Sequence, residues 1–493
     1  RADRFLCIQD AADYYRLVRH AFLNARKTIF ILGWDLLSTL DLVPDGVSDG
    51  APTRFDELLK WVVHRRPQLT IHVLIWDFAA FYALEREPLT QWRLRWQLPK
   101  QVRFCFDDRH PVGGSHHQKV IVVDDALAFC GGIDLTGHRW DTAAHRVNEP
   151  ARLNANGTPY DPYHEVHTMV CGPVAASLGV LARSRWQALG KTPPPLAPAS
   201  LGELWPDAVE PDLTDVEVAI ARTVASSGNE PEIRECERLF VDSIAAARQS
   251  IYIESQYFTN DALARPLGAR LEEPEGPEIL LVVPEECHGW LEKQTMGALR
   301  DEVLRHLMAC DRWRRLRIVY PMASRALNVC TFVHSKVMIV DDRFVRIGSA
   351  NFSRRSMGVD SECDLAIDAG SDLAHRAGVR RIRNRLIGEH LGLSADAVAD
   401  EVERAGSLRA LVDAHTHADR TLCPVALAEP PTPPSEILKA AADPDEPLAA
   451  AAHSRYRRAW RRVRAIGVAV RSLLPDRFSS ASARRRRENV EFG

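Results

Sequence analysis

Apolar runs long enough to cross a bilayer are missing from this 493-residue chain. The longest, at 120–123 and at 69–76 with Thr70 and His72 interrupting it, are strand-sized, whereas a spanning helix needs roughly 20 residues. Cys-x-x-Cys spacing is missing too. The ten cysteines (7, 105, 130, 171, 236, 287, 310, 330, 363, 423) are scattered, which excludes a zinc ribbon or a disulfide scaffold. Several, such as Cys130 and Cys330, stand in strand-like stretches and are expected to be reduced core residues. No signal-peptide pattern is visible, so the expected location is cytoplasmic. A basic body is also lacking. Residues 454–493 carry 12 Arg, no Lys and 3 acids, a charge of +9, so the net −3 leaves −12 for the first 453. An acidic body is poorly suited to neutralising phosphates along a nucleic acid, and no nucleic-acid partner is expected.

What the chain does have is an internal repeat. His117-Gln118-Lys119 followed by Asp124 recurs 217 positions later as His334-Ser335-Lys336 followed by Asp341. The register holds through Gly131-Gly132-Ile133-Asp134 and Gly348-Ser349-Ala350-Asn351. One His-x-Lys-x4-Asp is most often an exposed strand; two in register through a glycine turn indicate duplication. Upstream, 25–31 aligns with 247–253, each preceded by an amphipathic helix pattern, at 11–26 and 235–248. The strand at 69–76 matches 278–283, and 165–170 matches 362–367, with helices expected at 175–189 and 373–386. Each half alternates helix and strand over enough chain for its own core, which reads as an α/β layer with a mixed sheet covered on both faces. The expected division is a first half at 1–191, a Pro-rich linker at 192–211, a second half at 212–420, and a connector with a basic tail at 421–493. In that tail Trp460, Val463, Ile466, Val470, Leu473 and Leu474 recur at helical spacing among arginines. The pattern reads as an interfacial helix that attaches peripherally to an anionic membrane surface.

In a strand, residues i and i+2 share a face, so His117 projects with Lys119 and His334 with Lys336. Asp124 and Asp341 close each motif at the strand end on the opposite parity and are expected to accept structural hydrogen bonds, not to act as bases. A neutral imidazole can attack phosphorus, and a protonated one can donate to a leaving oxygen. Two copies meeting at a pseudo-twofold would flank one phosphoryl group, with the lysines stabilising its oxygens. Ser349 and Asn351 are typed as phosphate-binding donors. Glu165 and Glu362 are assigned as carboxylates that fix each imidazole's tautomer. His164-Glu165-Val166-His167 lacks the helical spacing of a zinc protease site, and His415 with His417 lacks a second ligand cluster. No metal site and no cofactor are expected.

These residues closely resemble the phospholipase D superfamily. The resemblance rests on both motifs, on Gly131 to Leu135 with Arg139-Trp140-Asp141-Thr142, and on Ile251-Tyr252-Ile253-Glu254-Ser255-Gln256-Tyr257-Phe258, where Ser255 replaces the usual Asn. It continues through Arg354-Arg355-Ser356-Met357 and Asp360-Ser361-Glu362 and covers residues 1–400. It implies two tandem α-β-α sandwich domains with the active site at their interface. It also implies metal-free hydrolysis of glycerophospholipids to phosphatidic acid through a phosphohistidine, with water or an alcohol as acceptor. By similarity His117 is the nucleophile and His334 the general acid, and the insertion at 141–163 shapes the head-group pocket. A cardiolipin synthase-like phosphatidyl transfer is the runner-up, then a nuclease, then a non-enzymatic lipid-binding relic.

Overall fold

The structure, a computed structural model, describes residues 1–77, 98–111, 113–198, 203–226, 231–286, 293–427 and 442–447. The chain divides into two compact units, Arg1–Glu446 and Pro447–Gly493. The helical tail pattern at 454–493 and Cys287 lie outside the described residues. Among the described residues no helix is long and apolar enough to cross a membrane.

The strands of the first half are β1 (Ala2–Gln9), β2 (Thr28–Gly33), β3 (Thr70–Trp76), β4 (Val102–Asp107), β5 (Val120–Val123), β6 (Leu127–Gly131), β7 (Tyr163–His164), β8 (Val166–Cys171) and β9 (Leu213–Val216). Those of the second are β10 (Ala219–Val224), β11 (Ile233–Arg234), β12 (Ser250–Ser255), β13 (Glu278–Val282), β14 (Leu316–Ser324), β15 (Val329–Cys330), β16 (Phe332–Val333), β17 (Lys336–Val340), β18 (Phe344–Gly348), β19 (Glu362–Asp368) and β20 (Thr421–Pro424). The first sheet runs β4-β3-β2-β5-β6-β8-β1-β9. The second contains β14-β13-β12-β17-β18-β19-β10 in the same sense, extended by β11, β15 and β20. Strand for strand these two paths are equivalent. β2 pairs parallel with β3 and antiparallel with the motif strand β5, and β12 pairs parallel with β13 and antiparallel with the motif strand β17.

Alternation along each strand sorts side chains into layers. Phe30 and Leu32 face a core shared by both sheets, along with Val345, Ile347 and Leu365. Ile29 and Ile31 face a separate core beneath the helices Asp10–Asn24 and Phe55–Arg65. The second sheet has its own outer core under Glu235–Ala246, Asp261–Glu272 and Ala298–Cys310. Helices Pro173–Ala188 and Leu373–Leu391 contribute Leu178, Trp186, Ile382 and Leu386 to the shared layer. Burying one such side chain contributes roughly 1.5–3 kcal/mol, so the halves are joined by a core and not by a surface contact. β1 and β10 open each half with a strand that the apolar pattern does not announce, because each carries exposed residues among its buried ones. β9, beyond residue 211, pairs with β1, and Leu204 and Trp205 are buried in the first half's outer core. Among the described residues no cysteine forms a disulfide.

Candidate active site

The motif histidines sit just before β5 and β17, where the strands emerge toward the other half. His117 N–H donates to Ser361 O at 2.9 Å and Ser361 N–H to Ser115 O at 2.9 Å. On the opposite side, β7 pairs parallel with β16, and His334 N–H donates to His164 O at 2.9 Å. Each motif is thus clamped to the other half by backbone hydrogen bonds. The consequence is that the carboxylates cross over. Glu362 of the second half lies with Oε2 3.0 Å from His117 Nδ1, which is also 3.1 Å from Ser349 O. Glu165 of the first half contacts His334 Nδ1. Both glutamates are fully buried. An ionised carboxylate only accepts, so with Glu362 ionised the His117 proton is held on Nδ1 and Nε2 keeps its lone pair outward.

The lysines lie beside their histidines. Lys119 Nζ is 3.1 Å from Asp134 Oδ2 and 3.1 Å from His117 O. Lys336 Nζ is 3.0 Å from His334 Nδ1 and 3.3 Å from Gln256 Oε1. Burial, then Lys119 and Lys336, hold the His117 imidazole well below its ordinary pKa. Burial and then Lys336, Arg139 and Lys119 do the same to His334. Burial pushes Lys336 down to about 7 and Glu165 up to about 7, and it raises Glu362 well above the usual carboxylate range. A phosphodiester, being anionic, acts in the opposite direction on both lysine and imidazole.

Ser349 and Asn351 stand at the turn after β18. The Ser349 hydroxyl donates to Glu362 Oε2 at 2.5 Å, and Ser356 Oγ donates to Glu362 Oε1 at 2.7 Å. Ser349 is thereby engaged with the carboxylate that orients His117. Asn351 Oδ1 is buried without a partner; an amide can present either end, and its NH2 in that position would suit a phosphoryl oxygen. Asp124 and Asp341 do not reach the site. Asp124 accepts from the backbone N–H groups of Arg26, Lys27 and Thr28 at 2.6, 2.7 and 2.8 Å. Asp341 accepts in the same way from Arg248, Gln249 and Ser250 at 2.6, 2.6 and 2.9 Å. Both take left-handed φ values of 52° and 54°, which aspartate tolerates in a tight hairpin.

Several neighbours have no counterpart in the motif. Tyr163 lies against the His334 ring at 5.7 Å between centroids, and the Arg139 guanidinium lies 5.0 Å over Tyr163. A second set lies behind Glu165: Asp10, His145, His164 and Glu389 are all buried, with ligand-type atoms within 4.8 Å of one another. His145 Nε2 and His164 Nδ1 are 2.8 and 2.7 Å from Glu389 Oε1. Asp141 at 2.9 Å and Glu254 at 2.9 Å hold their outer ring nitrogens. Every ring nitrogen of the two histidines thus faces a carboxylate, and, against the lowering effect of burial, these carboxylates raise the His145 imidazole to about 9. This set could not be read from the sequence because its members are drawn from both halves and share no spacing.

A family model described as "Cardiolipin synthase, PLD-like domain" matches residues 240–377. Phospholipase D alpha 1 of Vigna unguiculata is 25% identical, the match covering 76% of this chain and 63% of that protein. Phospholipase D alpha 2 of Oryza sativa subsp. japonica is 23% identical, covering 78% and 65%. The chain therefore spans less than two thirds of these relatives' length. Among solved structures, the phosphatidylserine synthase of Haemophilus influenzae Rd KW20 shares the fold, with a TM-score of 0.53 at 15% identity over 84% of this chain and 95% of that one. Paired mixed α/β sheets with a two-histidine cluster at their junction make up a duplicated, two-motif fold. The chain is a member of the phospholipase D superfamily.

Proposed function

We propose that the protein is a phospholipase D-type phosphodiesterase that hydrolyses glycerophospholipids to phosphatidic acid and transfers the phosphatidyl group to alcohols. The observation that carries this reading is the crossed pairing of His117 with Glu362 and His334 with Glu165. Each half supplies one imidazole and the carboxylate of the other. His117 Nε2 attacks phosphorus and the bond to the head-group oxygen breaks. His334, which takes up a proton on Nε2 when the anionic diester is bound, delivers that proton to the leaving oxygen, and a phosphohistidine remains on His117. Water or an alcohol then attacks, giving its proton to His334 as the P–N bond opens. Lys119 and Lys336, with the Asn351 amide, stabilise the non-bridging oxygens as charge develops. Such a reaction needs no metal at phosphorus. Its lipid substrate fits a cytoplasmic enzyme that works peripherally at the membrane surface, with the 454–493 tail as attachment.

Product analysis on mixed phospholipids, with and without ethanol or butanol, tests the reading. Phosphatidic acid alone in buffer and phosphatidylalcohol in its presence are expected. His117→Ala and His334→Ala should each lower turnover by on the order of 10³ or more, and the double variant should be little worse. More than a tenth of wild-type turnover in either single variant contradicts the two-histidine mechanism. The description of the matching family model favours one second reading, transfer between two lipids. Cardiolipin formed from phosphatidylglycerol, with little phosphatidic acid, would select it.

A further inference from the structure

Beside the His117 motif runs a second buried network whose members belong to neither lysine nor glutamate pair. His116 is 8% exposed, and its Nδ1 lies 3.1 Å from Ser361 Oγ, the residue before Glu362. Its Nε2 lies 3.2 Å from Asp107 Oδ1 at the end of β4. Arg185, on helix Pro173–Ala188, donates to Asp107 Oδ2 from Nη2 at 2.6 Å and Nε at 3.1 Å. The same guanidinium donates from Nη1 to Gln118 Oε1 at 2.6 Å, and Gln118 Nε2 donates to Glu362 O at 3.0 Å. One Asp–Arg pair therefore grips both neighbours of His117 and, through them, both Ser361 and Glu362. At positions equivalent to His116 and Gln118 the second motif has Val333 and Ser335, and the Ser335 hydroxyl is buried without a partner.

We propose that Asp107, Arg185, His116 and Ser361 form a positioning brace that fixes His117 against Glu362 for attack on phosphorus. The inference rests on His117 being the attacking residue. An in-line displacement tolerates little misplacement of its nucleophile, whereas an acid that protonates and later deprotonates an oxygen must follow that oxygen. In the second motif the positions of His116 and Gln118 are Val333 and Ser335, and the residue before its glutamate, His164, is held instead by Glu389 and Glu254. Burial and then Arg185 push the His116 imidazole down to about 4, so it is neutral near neutrality. The Asp107 carboxylate, 3.2 Å away but outside hydrogen-bond geometry, favours the proton on Nε2 by charge alone, which leaves Nδ1 to accept from the Ser361 hydroxyl. The Ser–His–Asp order resembles a hydrolytic triad, but all three residues are buried, and Ser361 is bound into the backbone bridge with His116.

The test is pre-steady-state acid-quench measurement of labelled phosphohistidine in Asp107→Asn, Arg185→Lys and Ser361→Ala, the last removing only a hydroxyl. Each folded variant should form the intermediate at least fivefold more slowly with KM changed less than threefold. The partition of product between water and butanol should stay at the wild-type ratio, because that choice follows attack. A variant with wild-type intermediate formation, or one whose loss comes with a raised KM and an altered partition, overturns the brace. If Asp107→Asn does not fold, Ser361→Ala and Arg185→Lys decide. Loss of all intermediate in His117→Ala beside unaffected brace variants would sink the brace and spare the reaction.

Discussion

The two motif aspartates and the two motif lysines illustrate how one short sequence pattern serves two purposes. Asp124 and Asp341 each accept three backbone N–H bonds from the turn before β2 or β12. Bonds to a charged acceptor contribute more than neutral ones, and donors left unsatisfied cost further. Asp124→Ala should therefore lower unfolding stability by roughly 2–4 kcal/mol in denaturant titration, while turnover per folded molecule stays within threefold. A catalytic role would show the reverse. Lys336 and Glu165 set the pH response. Lys336 is cationic below its depressed value and loses its charge as pH rises through about 7. Glu165 is a carboxylate above its raised value and gains a proton as pH falls through about 7. The kcat/KM profile, which reports the free protein, should be a narrow bell near neutrality. The alkaline limb of kcat should lie higher, since bound phosphate favours the cation. Lys336→Arg, always charged, should shift the alkaline limb of kcat/KM upward; an unmoved limb assigns it to another group. The residues themselves were legible in the sequence: the identity of both histidines, both lysines and both glutamates follows from duplication and chemical type. Their environments were not, because desolvation depends on how deep the junction lies.

At the level of elements, the sequence announced the motif strands and the helices that follow them, since fully apolar runs such as Val-Ile-Val-Val admit few other structures. It did not announce β1, β9 and β10, whose mixed burial hides their period. Nor did it say which glutamate serves which histidine. Spacing along the chain would have paired each imidazole with the carboxylate of its own half; the backbone clamps at His116–Ser361 and β7–β16 exchange them. The exchange makes the two arms separable by experiment. If Glu165 orients a general acid, Glu165→Gln and His334→Ala should recover most of their lost rate on a substrate with an acidic leaving group, such as a p-nitrophenyl phosphodiester. Glu362→Gln should not recover, because attack remains impaired. Equal recovery in both arms would mean that the roles are not divided this way. The Asp10, His145, His164 and Glu389 set belongs to this scale as well. It is assembled by the helix Leu373–Leu391 approaching the 141–164 segment, a long-range event that no local pattern encodes.

At the scale of the whole molecule, the shared core and the crossed carboxylates bring both motifs to the junction of the two sheets. Either half alone would carry a histidine, a lysine and a glutamate, yet none of its imidazoles would meet its partner. A single copy of such a half could act only by pairing with another copy, and its activity would vanish on dilution below the dissociation constant of that pair. Joining two copies in one chain turns a concentration-dependent encounter into an intramolecular one at a fixed effective concentration. Specific activity should accordingly stay constant from micromolar to picomolar protein, and a loss on dilution would point to a further assembly. The same linkage releases the halves from being identical. Once each copy is guaranteed its partner, one side can keep Gly132 and Arg139 where the other holds Ser349 and Ser356, so that a symmetric scaffold can treat the two ends of an asymmetric diester differently.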